Sequence, residues 1–467
     1  MRAWALWLAV SSFLVGVAHA QPLRLIPPLR SATNEITLKW TNAVAGQAYT
    51  VQSRDRLSNG LWLTIDAPQP WPTMQTQWNE SISTGSPAHF YRVVAVPPAT
   101  RGKLLSSNLL ASYTTTQLNL LFAGAGIPLT AQYAVKAYKL VYETIDPLGG
   151  RTQASGAQFL PQSVGKALPL LSYQHGTETL TNEVASRVNN GEYPIGLVFA
   201  SAGYATVLPD YLGMGDSPGF HPYVHARSEA TAGVDMMRAA RRYCASNSIA
   251  LNGQIFLAGY SQGGHATMAL HRELEKYHTN EFSITASAPM AGPYDMSGVG
   301  LQDMLSTRCP PNPYYYAYVV TAYQRVYGLA GSWSSIFAAP YDTTIPPLFN
   351  GNNSGSTIDA YLPGCNPSSI LTPALRAALQ QDPDCVFIQA LRDNDVDHWT
   401  PIAPLHMYHC AGDADVPYAN SQVAYSNFVA RGATQTQFID PYPSGDHGGC
   451  VLPSVSSAKA WFDTLKQ

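Results

Sequence analysis

The sequence lacks a surplus of either charge. Its 27 lysines and arginines are matched by 30 aspartates and glutamates, which gives a formal net charge of −3. Charged residues make up only 12% of the chain, and no stretch gathers lysines and arginines into a run. Electrostatic binding to nucleic acid or to an acidic membrane surface requires a basic patch. The composition therefore predicts no nucleic-acid partner.

Long apolar runs are missing beyond the first twenty residues. A helix needs about 20 consecutive apolar residues to cross a bilayer, so we expect no transmembrane segment after residue 20. At the start, Arg2 precedes an apolar run over residues 3–17, and Ala18-His19-Ala20 has the form of a cleavage site. We predict a signal peptide over residues 1–20 and a secreted or periplasmic protein. An uncleaved N-terminal anchor is the alternative.

Internal repeats and low-complexity tracts are absent as well. A chain of 467 residues is longer than one hydrophobic core comfortably supports, so two folded units are expected. Residues 31–98 hold short alternating runs rich in β-branched and aromatic residues, which predict a small antiparallel β-sandwich. Four aromatic residues of these runs form either the core of the sandwich or a carbohydrate-stacking face: Trp40, Tyr49, Trp62 and Trp78.

Residues 97–100 serve as a linker, and the pattern changes at residue 101. Apolar strands then alternate with helical segments, which is typical of a mostly parallel sheet with flanking helices. Residues 293–400 break this alternation, and we interpret them as a cap that shapes a substrate pocket. A third, purely structural subdomain is the alternative. The candidate strands are 139–145, 168–173, 205–208, 254–258, 283–290, 405–408 and 436–439, with a candidate helix at 230–244.

The pentapeptide Gly259-Tyr260-Ser261-Gln262-Gly263 lies between the candidate strand 254–258 and a helical run, 263–277. A serine at such a strand-to-helix turn projects its hydroxyl above the sheet, and crowding at the turn demands glycine two residues before and after it. This is the nucleophile elbow of the α/β-hydrolase fold. We therefore predict that fold for residues 101–467, with Ser261 as the catalytic nucleophile.

A serine hydroxyl requires a general base, which in this fold follows the last strand, and an acid, which follows the strand before it. Asp413 heads an Asp-x-x-Val-Pro stretch after the next-to-last strand and is the predicted acid, with Asp415 as its rival. His447 stands among glycines after the last strand and is the predicted base. We interpret His406 and His409 as strand residues.

Two backbone N–H groups are expected to bind the oxyanion of the tetrahedral intermediate. One belongs to Gln262, directly after the nucleophile. The other is assigned to Thr177 in the loop Gln174-His175-Gly176-Thr177, with Gly176 as the alternative.

Six cysteines follow the signal segment, at positions 244, 309, 365, 385, 410 and 450. An even number in an exported chain favours disulfides, but sequence alone does not choose among the fifteen possible pairings. Cys410 and Cys450 lie close to Asp413 and His447 in sequence, so a bridge between them would tie the two catalytic loops together.

The stretches 172–177, 209–217, 259–264 and 446–453 resemble those of bacterial relatives of the secretory lipases, a branch of the α/β-hydrolases near the prolyl oligopeptidase group. The resemblance covers the chain from about 105 to 465. The resemblance implies ester or lipid hydrolysis without a cofactor. The sandwich, with its closing His89-Phe90-Tyr91-Arg92-Val93-Val94, is similar to fibronectin type III-like modules of exported bacterial proteins.

We predict a secreted serine esterase or lipase that acts on a small-molecule, lipid or polymer ester through an acyl-serine intermediate. A prolyl oligopeptidase-type peptidase and an inert binding or adhesion protein are the alternatives, and the low charge of the cap before Leu391 favours esters over peptides. No metal site is expected, although His221 and His225 stand four residues apart. Asp210 is interpreted as a residue that fixes its loop rather than one that lines a pocket.

Overall fold

The computed structural model describes residues 23–30, 35–41, 46–56, 60–65, 71–81, 90–189 and 191–467. The predicted signal peptide at 1–20 lies outside the described residues, as does His89 of the stretch that closes the predicted sandwich.

The strands before residue 97 form two antiparallel sheets of three strands each, in the orders β1-β2-β5 and β4-β3-β6. Side chains from both sheets pack into one core, which includes Trp40, Tyr49 and Trp78. Three of the four aromatics are therefore core residues, while the ring of Trp62 lies under the guanidinium groups of Arg54 and Arg92. The strands are β1 (Arg24–Arg30), β2 (Glu35–Thr41), β3 (Ala48–Arg54), β4 (Leu63–Thr64), β5 (Gln77–Ser81) and β6 (Phe90–Val96).

The rest of the chain is built on a nine-stranded sheet with the order β15-β14-β13-β12-β10-β11-β9-β8-β7. Its six later strands are parallel to one another, whereas β9, β8 and β7 extend the sheet antiparallel. This topology confirms the predicted α/β-hydrolase fold. The strands are β7 (Leu104–Tyr113), β8 (Val135–Ile145), β9 (Arg151–Pro161), β10 (Leu168–Gln174), β11 (Ala205–Pro209), β12 (Leu251–Tyr260), β13 (Ile284–Met290), β14 (Leu405–Tyr408) and β15 (Thr436–Ile439).

All seven candidate strands are present, but the sequence pattern does not reveal β7 and β9. In β9 the buried positions include the polar residues Ser155 and Gln158, so the apolar alternation that marks a strand is lost. In β7 the leucines Leu105 and Leu109 are exposed, because β7 is the edge strand of the sheet.

Helices cover the sheet, and the segment between β13 and β14, residues 291–404, contains six short ones. We call this segment the cap. The candidate helix 230–244 extends to 226–246 in the structure. The helices flanking the sheet are α1 (Thr115–Gly124), α2 (Tyr193–Ser201), α3 (Ala226–Ser246), α4 (Gln262–Tyr277), α11 (Ala419–Ala430) and α12 (Val451–Leu465). Those of the cap are α5 (Leu301–Leu305), α6 (Tyr314–Tyr327), α7 (Tyr341–Thr344), α8 (Gly355–Asp359), α9 (Pro373–Gln381) and α10 (Val386–Asp393).

The cap has its own hydrophobic core, and a disulfide between Cys309 and Cys365 joins its parts. Leu61 from the N-terminal sandwich belongs to this core, and its N–H donates to Oε1 of Gln389 on α10 at 3.0 Å. The sandwich therefore packs directly on the cap. None of the helices in the described part of the chain is long and apolar enough to cross a membrane.

Candidate active site

Ser261 occupies the tight turn between β12 and α4, where it adopts φ 61° and ψ −122°. Such a conformation is strained for a residue with a side chain and persists only when its surroundings enforce it. The flanking glycines show the crowding, because a Cβ on Gly259 would lie 2.4 Å from the carbonyl oxygen of Gly263. A Cβ on Gly263 would lie 1.9 Å from the carbonyl oxygen of Gln174. The turn therefore admits only glycine at both positions.

His447 reaches Ser261 from the loop between β15 and α12. Its Nε2 lies 2.9 Å from Oγ of Ser261. The hydroxyl of Tyr260 donates to the carbonyl oxygen of His447 at 2.7 Å, which fixes the backbone of the histidine loop. The predicted nucleophile and the predicted base are therefore in hydrogen-bond contact.

Asp413 lies on the other side of the imidazole, with Oδ2 at 2.6 Å from Nδ1 of His447. Its Oδ1 accepts the N–H groups of Asp415 and Val416, both at 2.9 Å. Burial alone would raise the pKa of Asp413, but hydrogen bonds from His409 and His447 hold that pKa well below its usual range. The carboxyl is therefore ionised wherever the protein is folded at ordinary pH.

Asp415, the rival acid, makes its contacts with Asn312 instead. Its carboxylate accepts the backbone N–H of Asn312 at 3.1 Å and the side-chain amide of Asn312 at 3.0 Å. The structure thus brings Asp413, and not Asp415, to His447.

A disulfide connects the loops that carry these two residues. Cys410 is bonded to Cys450, and both cysteines are fully buried. The bridge starts three residues before Asp413 and ends three residues after His447. Of the remaining cysteines, Cys244 and Cys385 are buried free thiols.

The loop after β10 faces the elbow, and some of its polar groups are hydrogen-bonded while one backbone donor has no partner among the described residues. The N–H of Gly176 donates to Oε1 of Glu192 at 2.7 Å, and the hydroxyls of Thr177 and Tyr223 lie 2.8 Å apart. The N–H of Thr177 has no protein acceptor in the described part of the chain. Gln262 opens α4, so its N–H has no partner within the helix. The backbone N–H groups of Gln262 and Thr177 are therefore free to donate, whereas the N–H of Gly176 is already bonded to Glu192.

The side chain of Gln262 is fixed by a buried polar network that the sequence pattern does not reveal. Its Nε2 lies 2.8 Å from Nε2 of His221 and 2.9 Å from Oε1 of Glu229. Burial lowers the pKa of His221 to about 4, so the ring is neutral and accepts the amide hydrogen. His265 extends the network, with Nδ1 at 2.7 Å from Oε2 of Glu229 and Nε2 at 2.9 Å from the carbonyl oxygen of Asn394.

Comparisons with known proteins place these residues within a family. The profile described as Secretory lipase matches residues 195–285, which include Ser261. The ligand-bound structure of the rice cell wall degrading esterase LipA from Xanthomonas oryzae shares 31% sequence identity and a TM-score of 0.71, over 78% of this chain and 98% of that chain. The chain belongs to the secretory lipase family.

This member of the family is a carboxylic ester hydrolase with the α/β-hydrolase fold. A Legionella pneumophila protein is 28% identical with a TM-score of 0.71, over 78% of this chain and 98% of that chain. Candida antarctica lipase A in its closed state shares the fold at 18% identity and a TM-score of 0.59, over 79% of this chain and 84% of that chain. A comparison with curated protein sequences gives no significant match. The likeness of the sandwich to fibronectin type III modules stays a prediction.

Beside Ser261 the protein has a pocket of about 650 Å³, open mouth included. Its wall is mostly apolar and comes largely from the cap. One side is formed by the elbow itself, through Ser261 and Gln262. The apolar residues that the cap contributes include Met296, Leu301, Met304, Val319 and Leu391.

Other residues singled out from the sequence have structural contacts. Asp210 accepts the hydroxyl of Ser155 at 2.5 Å and the N–H of Ser186 at 3.2 Å, which fits the loop-fixing role. Nδ1 of His225 accepts the N–H of Ser228 and caps α3. His406 lies on β14 as expected, but His409 follows the strand and contacts Asp413.

Proposed function

We propose that the protein is a secreted serine esterase in which Ser261 is the nucleophile, His447 the general base and Asp413 the acid. The observation that carries the proposal is the continuous hydrogen-bonded line from the serine hydroxyl through both imidazole nitrogens to the carboxylate. A strained serine, a histidine and a buried ionised carboxylate in this order are the requirements of acyl transfer.

The reaction proceeds in two steps. Nε2 of His447 takes the proton of Ser261 as Oγ attacks the ester carbonyl, and Asp413 stabilises the resulting imidazolium. The N–H groups of Gln262 and Thr177 bind the oxyanion of the tetrahedral intermediate. The imidazolium then protonates the departing alcohol. Water activated by His447 hydrolyses the acyl-serine and regenerates the free hydroxyl.

The pocket beside Ser261 supports an apolar acyl group as the part of the substrate that is bound before attack. Methionine, leucine and valine side chains of the cap line it, and such a wall stabilises an aliphatic chain by removing it from water. We therefore assign aliphatic carboxylic esters as the substrate class. The length of chain that the pocket accepts is set by the cap.

Secretion is supported by two features. Residues 1–20 have the composition of a signal peptide. The bridges Cys309–Cys365 and Cys410–Cys450 are typical of proteins that fold in an oxidising compartment.

The proposal is tested by hydrolysis of p-nitrophenyl esters from acetate to palmitate, with wild type, Ser261→Ala and Ser356→Ala compared. Ser356 is an exposed serine of the cap and serves as the matched control. We expect Ser261→Ala to lose about 10⁴-fold or more in kcat, as removal of a triad nucleophile does, while Ser356→Ala keeps wild-type turnover. A fluorophosphonate should label wild type and the control but not Ser261→Ala. Wild-type turnover in Ser261→Ala would refute the proposal.

A further inference from the structure

Glu192 lies directly before α2, and its carboxyl reaches the loop that follows β10. Oε1 accepts the N–H of Gly176 at 2.7 Å, and Oε2 accepts the hydroxyl of Tyr173 at 2.6 Å. The Glu192 side chain therefore connects the end of β10 to the loop that carries Thr177. Glu192 is not part of the triad, and no local sequence pattern points to it.

The packing around Gly176 places Glu192 and Ser261 on the same side of this residue. A Cβ on Gly176 would lie 2.8 Å from Oε1 of Glu192 and 3.7 Å from Cβ of Ser261. The same Cβ would lie 3.4 Å from the carbonyl oxygen of Tyr260. The glycine thus allows the carboxyl, the loop and the nucleophile to meet without an intervening side chain.

Two other bonds of the loop act on the peptide group between His175 and Gly176 and on the one that follows it. The hydroxyl of Tyr211 donates to the carbonyl oxygen of His175 at 3.0 Å, and Nδ1 of His175 lies 2.7 Å from the carbonyl oxygen of Gly176. The C=O and N–H of one trans peptide group point in opposite directions. The bond at the Gly176 carbonyl therefore sets the direction of the Thr177 N–H, and Glu192 anchors the preceding peptide group.

We infer that Glu192 is a positioning residue of the oxyanion hole, which holds the loop 174–177 so that the Thr177 N–H stays aimed at the reacting carbonyl. The inference rests on the proposed function, because it requires that Thr177 be an oxyanion donor. Glu192 acts through Gly176 and does not itself touch the substrate. A donor held in place before reaction is worth more than one that must reorganise.

The carboxyl can hold the loop without a full negative charge. Burial raises the pKa of Glu192 to about 7, although hydrogen bonds from Tyr173 and Gly176 and the charge of His447 lower it. Below this pH the carboxyl is mainly neutral, and its oxygen still accepts the N–H of Gly176. Five titratable groups from the surrounding elements face the Glu192 carboxyl. They are Tyr173 on β10, Glu178 in the loop after β10, Tyr211 in the loop after β11, Tyr260 on β12 and His447 in the histidine loop.

The test compares Glu192→Ala, Glu192→Asp and Glu192→Gln in the full chain, with kcat expressed per active site titrated by a fluorophosphonate at its endpoint. Alanine removes the acceptor and aspartate shortens its reach, whereas glutamine keeps an oxygen for Gly176. We expect alanine and aspartate to lower kcat by about 30- to 100-fold with KM within about threefold, since the oxyanion forms only in the transition state. Glutamine should restore kcat to within about fivefold of wild type, because the hydrogen bond is retained.

Two further variants sharpen the test. Gly176→Ala places a methyl group against Oε1 of Glu192 and should lower kcat through the same contact, so the double variant with Glu192→Ala should be no worse than the more impaired single variant. Glu183→Gln, in a carboxyl pair with Glu178, is the matched control and should leave kcat unchanged.

Three outcomes are decisive. A Glu192→Ala enzyme with kcat within about threefold of wild type per active site would overturn the inference, even if its melting temperature fell, because a purely structural residue lowers stability alone. Equal impairment of the glutamine and alanine variants would also overturn it, since charge and not contact would then matter. If the alanine variant does not fold, aspartate against glutamine decides the same question. Failure of the proposed function would appear separately, as wild-type turnover no greater than that of Ser261→Ala.

Discussion

Nε2 of His409 lies 3.1 Å from Oδ2 of Asp413, the same oxygen that faces the imidazole of His447. Nε2 of His409 also lies 3.2 Å from the carbonyl oxygen of Val416, so it faces two acceptors and must carry a proton. Its Nδ1 lies 2.7 Å from the hydroxyl of Ser421. The carboxylate of Asp413 is therefore held between the imidazoles of His447 and His409, and that of His409 is fully buried.

Replacing His409 by phenylalanine should weaken both catalysis and folding. The buried carboxylate of Asp413 would lose one of its donors, which costs about 1–3 kcal/mol of stability. We also expect kcat to fall roughly tenfold with KM unchanged, because a looser carboxylate orients His447 less well. Urea unfolding and p-nitrophenyl ester kinetics measure the two effects. His406→Phe is the control, since that ring stacks on Trp461 and does not contact Asp413; equal losses in both variants would contradict the assigned role of His409.

Asparagine substitutions separate the two neighbouring carboxylates. Asp413→Asn should lower kcat by about 10⁴-fold, as expected when the acid no longer stabilises the imidazolium or fixes its tautomer. Asp415→Asn should lower kcat less than about tenfold, because its carboxylate holds Asn312 before α6 and not the base. Titrated active sites provide the reference for both rates. The reverse order of effects would show that Asp415 is the acid.

The catalytic candidates could be predicted from the sequence because each lies in the segment that follows a recognisable strand. Ser261 needs only an apolar strand, flanking glycines and a helix, all contiguous in the chain. His447 follows the last strand among glycines. The sequence favours Asp413 over Asp415 only through the spacing of the Asp-x-x-Val-Pro stretch, because the two carboxylates are one residue apart and only the direction of each side chain separates their roles.

The residues that support the catalytic candidates could not be predicted from the sequence. Glu192, Glu229 and His409 act through contacts with parts of the chain that no sequence spacing relates to them. The sequence pattern did not predict strand β9 for a related reason. Ser155 is buried in this strand, where Asp210 accepts its hydroxyl. Periodicity detects apolar burial and does not detect buried polar pairs.

The bridge Cys410–Cys450 should stabilise the proposed acid and base loops together. Its removal as the double variant Cys410→Ser/Cys450→Ser should cost about 3–4 kcal/mol, the chain-entropy value for a loop of this order. Residual activity should then be lost at a lower temperature than in wild type. Thermal inactivation followed by ester hydrolysis measures this. The control variant Cys309→Ser/Cys365→Ser lacks the cap bridge instead and should leave kcat for the acetate ester nearly unchanged. Identical inactivation curves for the Cys410→Ser/Cys450→Ser variant and wild type would show that the bridge does not stabilise the two loops.

Contact between the sandwich and the cap predicts an effect at a distance from the serine. Leu61 packs in the core of the cap and binds Gln389 on α10, and Leu391 on the same helix lines the pocket. Leu61→Asp should destabilise this contact by at least about 2 kcal/mol, because it buries an unpaired charge. We expect kcat/KM for octanoate to fall several-fold relative to acetate. Met74→Ser, an exposed position of the sandwich, is the control, and an unchanged octanoate-to-acetate ratio in Leu61→Asp would exclude the coupling.

The raised pKa of Glu192 predicts how stability depends on pH. In the unfolded chain the carboxyl titrates near its usual 4.5, whereas burial raises the folded-state pKa to about 7. Between these values the folded protein binds the proton more tightly, so unfolding releases it and stability falls as pH rises from about 4.5 to about 7. The free energy of unfolding from urea titrations at pH 5, 6, 7 and 8 measures this. Glu192→Gln cannot ionise, so wild type should lose stability relative to this variant up to about pH 7 and hold a constant difference above it. Contributions from groups that do not interact with Glu192 cancel in the comparison, whereas Glu178, whose pKa Glu192 helps to raise to about 9, adds to the difference through this coupling. A difference that does not change with pH would mean that the Glu192 carboxyl has the same proton affinity in the folded and unfolded chain.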